Sequence, residues 1–419
     1  VLLLIELVVM GACSGVEEGA ASAPRDEPDD DRAVDAGVLD DAVVEAERDA
    51  TPADAMRGHG EAGGRDGEAG VVVNAADDGG EGGVMDAADA SVPPNVVFVT
   101  SEKRAPGSLG GLAGADAFCN HRAAAAGLEG TYVAWLSTAQ ESARSRIGAA
   151  AGWVRPDGLP FTADLAAGET HVWYPARLDE FGAPVAADEV VVTGTNYDGD
   201  FAGSSCGEWT SNSGGVTVGY AAGGTGTWTN GEARSCATPL RVYCFGVERT
   251  ASVMSASAVG RVAFVSAALI DPSIGVASAD ALCAGEASDA ALPGTFKALM
   301  STNGTPAASR FATGAGTATW VRSDGVPLAA SAAAFMAGEL VASLNLSAKG
   351  GSYENYVVWI GAPADAAAGA PAKDCLAWSS HGEADVSIAG HTARASRHLF
   401  DNGATACSFP AARILCLQD

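Results

Sequence analysis

Gly114-Ala115-Asp116-Ala117-Phe118-Cys119 and Ser278-Ala279-Asp280-Ala281-Leu282-Cys283 are two versions of one segment, separated by an offset near 165 residues. Around them, Val97-Phe98-Val99-Thr100 matches Ala263-Phe264-Val265-Ser266, and Gly130-Thr131-Tyr132-Val133-Ala134 matches Gly294-Thr295-Phe296-Lys297-Ala298. Trp153-Val154-Arg155-Pro156-Asp157-Gly158 likewise answers Trp320-Val321-Arg322-Ser323-Asp324-Gly325. The two series keep step to their ends. Cys206-Gly207-Glu208-Trp209 pairs with Cys375-Leu376-Ala377-Trp378, and Arg241-Val242-Tyr243-Cys244 with Arg413-Ile414-Leu415-Cys416. Self-similarity at a fixed period marks an internal duplication. It predicts domains at 96–248 and 261–419, each of a size that can fold alone, joined by an Ala/Ser-rich linker at 249–260.

Eight of the nine cysteines fall inside the copies, with gaps of 87, 30 and 8 in the first and 92, 32 and 9 in the second. Four cysteines per copy leave three pairings open. No close Cys-x2-4-Cys pair of the kind zinc uses is present. Disulfides are therefore the expectation, and with them an oxidising compartment.

Charge and aromatic content divide the chain again. The 419 residues carry a formal net charge of -28, a sign that disfavours nucleic acid as a partner. Residues 14–95 hold 22 acidic and 5 basic side chains, and none of the 27 aromatic residues precedes Phe98. Such a segment has nothing with which to offset chain entropy, so it reads as a disordered, self-repelling tether. Residues 1–13, VLLLIELVVMGAC, are too short an apolar run to cross a bilayer as a helix. They resemble the end of a bacterial lipoprotein signal, with Gly11-Ala12 before Cys13 as the residue to be lipidated, although Glu6 interrupts the run and no basic region precedes it. That likeness implies export and a lipid anchor at the outer membrane or cell surface, the membrane being the one partner it names.

Within each copy the pattern predicts a strand at 96–100 or 262–266, then a helix with Phe118 and Cys119 on its buried face. Gly127 suits a left-handed cap, and Thr131-Tyr132-Val133-Ala134-Trp135-Leu136 has strand-forming content. Later strands are expected at 190–193, at 356–360, and around Val242 and Ile414, an α+β class with extensive loops.

The run from Gly111 through Cys119, followed by Ala126-Gly127-Leu128-Glu129-Gly130-Thr131-Tyr132-Val133-Ala134-Trp135-Leu136-Ser137, resembles the endostatin-like domain at the end of certain collagens. It is also similar to a bacterial lipoprotein domain of the DUF1554 family, and both are related to C-type-lectin-like folds. The resemblance implies two tandem C-type-lectin-like/endostatin-like domains after the acidic segment. It further implies first-to-fourth and second-to-third disulfides: Cys119–Cys244 with Cys206–Cys236, and Cys283–Cys416 with Cys375–Cys407.

Site residues are fewer. Of the calcium and sugar ligands of C-type lectins, only Trp228-Thr229-Asn230-Gly231-Glu232 is a near fragment, and no Glu-Pro-Asn occurs. Asn196, Asp198 and Asp200, around Gly199, offer oxygen donors at alternate positions. They make calcium a candidate in the first copy alone, where the second has Ala362-Pro363-Ala364-Asp365-Ala366; no other cofactor is expected. Trp153, Trp209, Trp320 and Trp378 match between copies and read as core. Trp173, Tyr174, Tyr197, Tyr220 and Trp228 do not match, so they, with Asn230 and Glu232, are the candidate ligand surface. His391 and His398 are expected to share a helical face with Arg394 near Asp401, and Glu208 to approach Glu232. The expected function is non-enzymatic recognition of a surface glycan or envelope protein. A secreted hydrolase and a purely structural envelope protein are the alternatives.

Overall fold

Each copy opens on a strand of branched and aromatic residues, Asn95–Val99 in the first and Arg261–Val265 in the second. Asn95–Val99 lies between antiparallel Arg241–Gly246 and parallel Trp153–Val154, and Tyr132–Ala134 pairs with the far edge of Arg241–Gly246. The second copy repeats this order, with Arg261–Val265 between Leu415–Gln418 and Trp320–Arg322 and with Phe296–Ala298 outermost. The computed structural model describes residues 92–165, 171–302, 305–361, 373–410 and 412–419, all within one compact unit. Cys13 and residues 14–91 of the acidic segment lie outside the described residues, as do 362–366.

The first strand of each copy is buried on both faces, which explains its unbroken apolar run. Phe98 packs with Phe118, Cys119 and Cys244, while Val97 and Val99 point into a second cluster around Trp135, Trp153 and Phe245. Phe264 faces Cys283 and Cys416, while Ala263 and Val265 face Trp320 and Phe335. The helices Gly111–Ala125 and Gly275–Asp289 cover one of these faces. Their aspartates tie helix to strand. Asp116 accepts from Ala134 N at 2.8 Å and pairs with Arg146 at 2.5 Å, and Asp280 does the same with Ala298 N and Arg310.

A smaller antiparallel set follows in each copy: Val190–Val192, Gly215–Tyr220 and Glu232–Ser235, then Val357–Trp359, Val386–His391 and Ala404–Ala406. Parallel pairing of Val191 and Val192 with Arg241 and Val242 joins the first set to the central sheet, whereas the second meets it through the single bridge Val358 to Arg413 among the described residues, beside Ser301 N donating to Ile360 O at 2.8 Å. The four disulfides are Cys119–Cys244, Cys206–Cys236, Cys283–Cys416 and Cys375–Cys407. One bridge in each copy pins helix to central strand, and the other anchors a one-turn element at Cys206–Trp209 or Cys375–Trp378. The result is an α+β fold, with Trp153, Trp209, Trp320 and Trp378 in its cores.

The linker is laid against both copies. Ala251 N donates to Ala151 O at 3.0 Å, and Ala258 N to Gly325 O at 2.9 Å. Among the described residues no helix is long and apolar enough to cross a membrane.

Candidate functional site

Two loops of the first copy reach the second. In the loop following Gly215–Tyr220, Gly224 N donates to Ala393 O at 2.9 Å, Ala395 N to Ala222 O at 2.7 Å, and Thr227 Oγ1 to Ala393 O at 2.5 Å. The approach is close: a Cβ on Gly224 would stand 2.5 Å from Ser343 Oγ, and one on Gly223 2.5 Å from Trp228 N in the backbone of the same loop. The other loop carries Val172 to Pro175 and inserts Tyr174 among Trp320, Leu328 and Phe335 of the second core.

Between the loops lies a polar network built on Arg322, whose side chain is wholly buried. Its guanidinium donates to Val172 O, Ser343 O and Asn345 Oδ1, each at 3.2 Å, and to Asp324 at 2.7 Å. His171 of the first copy meets Asp324 at 3.1 Å. Asn345 Nδ2 and Ser352 Oγ donate to Glu354 at 3.0 and 3.2 Å. Burial works against the Asp324 charge, yet His171, Arg322 and Val326 N together hold its carboxyl below the usual range. Glu354 goes the other way. Burial pushes it up to about 7 despite Thr225, Ser352, Asn345 and Arg322.

Beside this network lies a half-buried cation. Arg394 lies with its guanidinium carbon 3.5 Å from the centroid of the Tyr220 ring, across the boundary between copies. It makes no ion pair with any described residue. Tyr220 is 8% exposed, and its phenol is raised above the ordinary value by burial, which the Arg394 charge opposes. Tyr197, at 49%, is the exposed ring of the group, and lies beside Gly226 of the loop that follows Gly215–Tyr220. Glu232 pairs with Arg234 at 2.5 Å. Burial first, then the Arg394 charge, lowers His391 to about 4, and the same two causes lower His398.

Tyr197, Tyr220 and Glu232 of the expected ligand surface thus belong to the seam, together with Arg394, His391 and His398. Other expectations are corrected. Trp228 is 1% exposed, packed 5.0 Å from Trp135 and 5.2 Å from Phe161, because the turn that carries it folds its ring into the cluster of Trp135, Phe161, Tyr243 and Phe245. Trp173 packs against the second copy's core, since the loop that carries it is an interface. Asn230 closes a turn, its N–H donating to Gly226 O at 3.0 Å. His391 ends a strand and His398 lies in the single 3-10 turn Arg397–Leu399, so they share no helical face. Glu208 is held by Ser205 Oγ at 3.0 Å, and Glu232 by Arg234.

Two of the Asn196–Asp200 donors already have partners within the protein, while Asp198 is exposed. Asn196 Oδ1 accepts from Asp198 N at 3.0 Å and Asp200 N at 2.9 Å, and Asp200 pairs with Arg144 at 2.8 Å. Among the described residues no group of three or more His, Cys, Asp or Glu side chains is placed to hold a metal. Sequence reasoning missed the stacking of Arg394 on Tyr220. Its only trace was that neither residue had a counterpart in the other copy, as expected where a duplicated pair meets itself asymmetrically. Compared with known proteins, the chain matches no family model and no curated protein.

Proposed function

We propose that the two copies are lectin-like/endostatin-like binding domains of an exported lipoprotein, tethered through Cys13 at the outer membrane or cell surface. They recognise a surface glycan bearing a carboxylate, without a chemical step. The helix-to-strand and outer disulfides support the fold assignment by following the first-to-fourth, second-to-third order of those families. The observation that carries the function is Arg394, a guanidinium stacked on Tyr220 and lacking an ion-pair partner among the described residues. A planar fork of donors held flat by an aromatic ring suits a carboxylate, and the exposed Tyr197 offers a face to a sugar ring.

The test is an array of glycans and envelope components probed with the full oxidised chain, with calcium and with chelator. Carboxylated glycans should bind, and Arg394→Ala should weaken them about tenfold, roughly 1.4 kcal/mol. Retention in Arg394→Ala overturns the seam site. Loss on chelation alone moves recognition to Asn196, Asp198 and Asp200; turnover of an arrayed compound favours the hydrolase, and an empty array favours a structural protein.

A further inference from the structure

At one position of the fold the two copies are built in opposite ways. In the first, the end of the opening strand is sealed: Glu180, its side chain fully buried, accepts from Ser101 N at 2.8 Å, Ser101 Oγ at 2.6 Å and Arg122 Nε at 2.6 Å. The Arg122 guanidinium lies 5.7 Å from the Phe181 ring centroid. The corresponding loop of the second copy is identified by its hydrogen bonds. Val99 N to Leu178 O, 2.9 Å, becomes Val265 N to Leu346 O, 2.8 Å, and Ala183 N to Asp179 Oδ1 becomes Gly351 N to Ser347 Oγ, both 2.9 Å. Ala348 therefore stands in the place of Glu180, Lys349 in that of Phe181, and Glu286 in that of Arg122.

These replacements empty the position. Glu286 turns to accept from Ala267 N at 2.8 Å and Ala268 N at 3.0 Å, and nothing replaces the bulk of Glu180. A cleft of about 280 Å³ remains, floored by Ala267, Ala268 and Ala348 and walled by Glu286, Asp289 and Lys349. Glu286 and Asp289 are three apart on one helix and share a face. Neither they nor Lys349 makes an ion pair among the described residues, so opposite charges stand across the cleft unpaired.

We propose that this cleft binds a small zwitterion, an α-amino acid with a short apolar side chain. Its ammonium would face Glu286 and Asp289, its carboxylate Lys349, and its side chain the alanine methyls. A ligand of one charge would leave the opposite wall uncompensated, and the volume, just under the ~300–1,000 Å³ of typical small-molecule sites, suits a single small molecule.

Titration calorimetry on the full oxidised chain tests this with L-alanine, L-alanine methyl ester and N-acetyl-L-alanine. L-alanine should bind saturably, one per chain. Asp289→Asn and Lys349→Ala, both at exposed positions, should each weaken it about tenfold with the melting temperature unchanged, the loss of one charge-assisted contact. The ester should lose its sensitivity to Lys349→Ala, and the acetyl compound its sensitivity to Asp289→Asn. Absence of saturable L-alanine binding, or equal affinity in both variants and the native chain, overturns the assignment. Because Arg394 does not line the cleft, Arg394→Ala should bind L-alanine as the native chain does; loss of binding there would place the ligand in the seam and also refute the cleft.

Discussion

Glu354 and His391 are titrating groups at the seam whose folded environments oppose their charge, and their effects on stability run in opposite directions. Glu354 moves from 4.5 to about 7 on folding, so the native state binds more protons and stability falls as pH rises from about 4.5 to 7. His391 moves from 6.5 to about 4, so its neutral form favours folding above the upper value, and that contribution is lost as pH falls through this window. Glu354→Gln keeps an oxygen for Asn345 Nδ2 and removes the buried charge. It should leave stability unchanged at pH 4, where the native carboxyl is protonated too, and raise it by about 1–3 kcal/mol at pH 8, measured by denaturant unfolding at both pH values. Neither shift was legible in the sequence, because burial in the folded chain is the largest cause of each, whatever the neighbours along the chain add.

At the level of elements, the duplicated helices end alike but not equally well. Gly127 takes φ +70°, with Leu128 N bonded to Ala123 O at 3.0 Å and Gly127 N to Ala124 O at 3.1 Å, a paired C-terminal cap that the sequence made readable. The second copy has the same cap, Leu292 N to Ala287 O at 2.9 Å, but seats Ala291 at φ +55°. Relief of the Cβ strain at this exposed position should let Ala291→Gly stabilise the protein by up to about 1 kcal/mol, read as a rise in melting temperature. The turns at Cys206–Trp209 and Cys375–Trp378 were not readable. Cys375, Leu376, Ala377 and Trp378 have φ of 52°, 54°, 55° and 61°, a left-handed turn without glycine. Side chains like these do not favour it, at roughly 1–2 kcal/mol each. What holds it is tertiary: the Cys375–Cys407 bridge, Asp374 accepting from Ala377 N at 2.8 Å, and Trp378 Nε1 donating to Ser301 O at 2.6 Å. Cys375→Ala with Cys407→Ala should cost about 3–4 kcal/mol, with amide exchange rising first over 375–380.

For the whole molecule, the seam makes two homologous copies into one structural unit, and Gly224 is one of its points of close approach. Gly224→Val would drive a side chain against Ser343. It should destabilise by about 1–3 kcal/mol and turn a single calorimetric unfolding transition into two. A single unaltered transition would show that the loop can shift without loss. By itself the sequence determined the duplication, the placement of the opening strands and helices, and the core tryptophans, since each is written in local periodicity or in agreement between the copies. The α+β class follows from those same elements. Tertiary structure alone decided that Trp228 is core, that the loop of Trp173 and Tyr174 is an interface, that Arg394 lies on Tyr220, and that a position sealed by Glu180 is open beside Ala348. Each of these depends on which residue of one segment meets which residue of another far along the chain. Asymmetric docking of two similar copies has no period for a sequence to display.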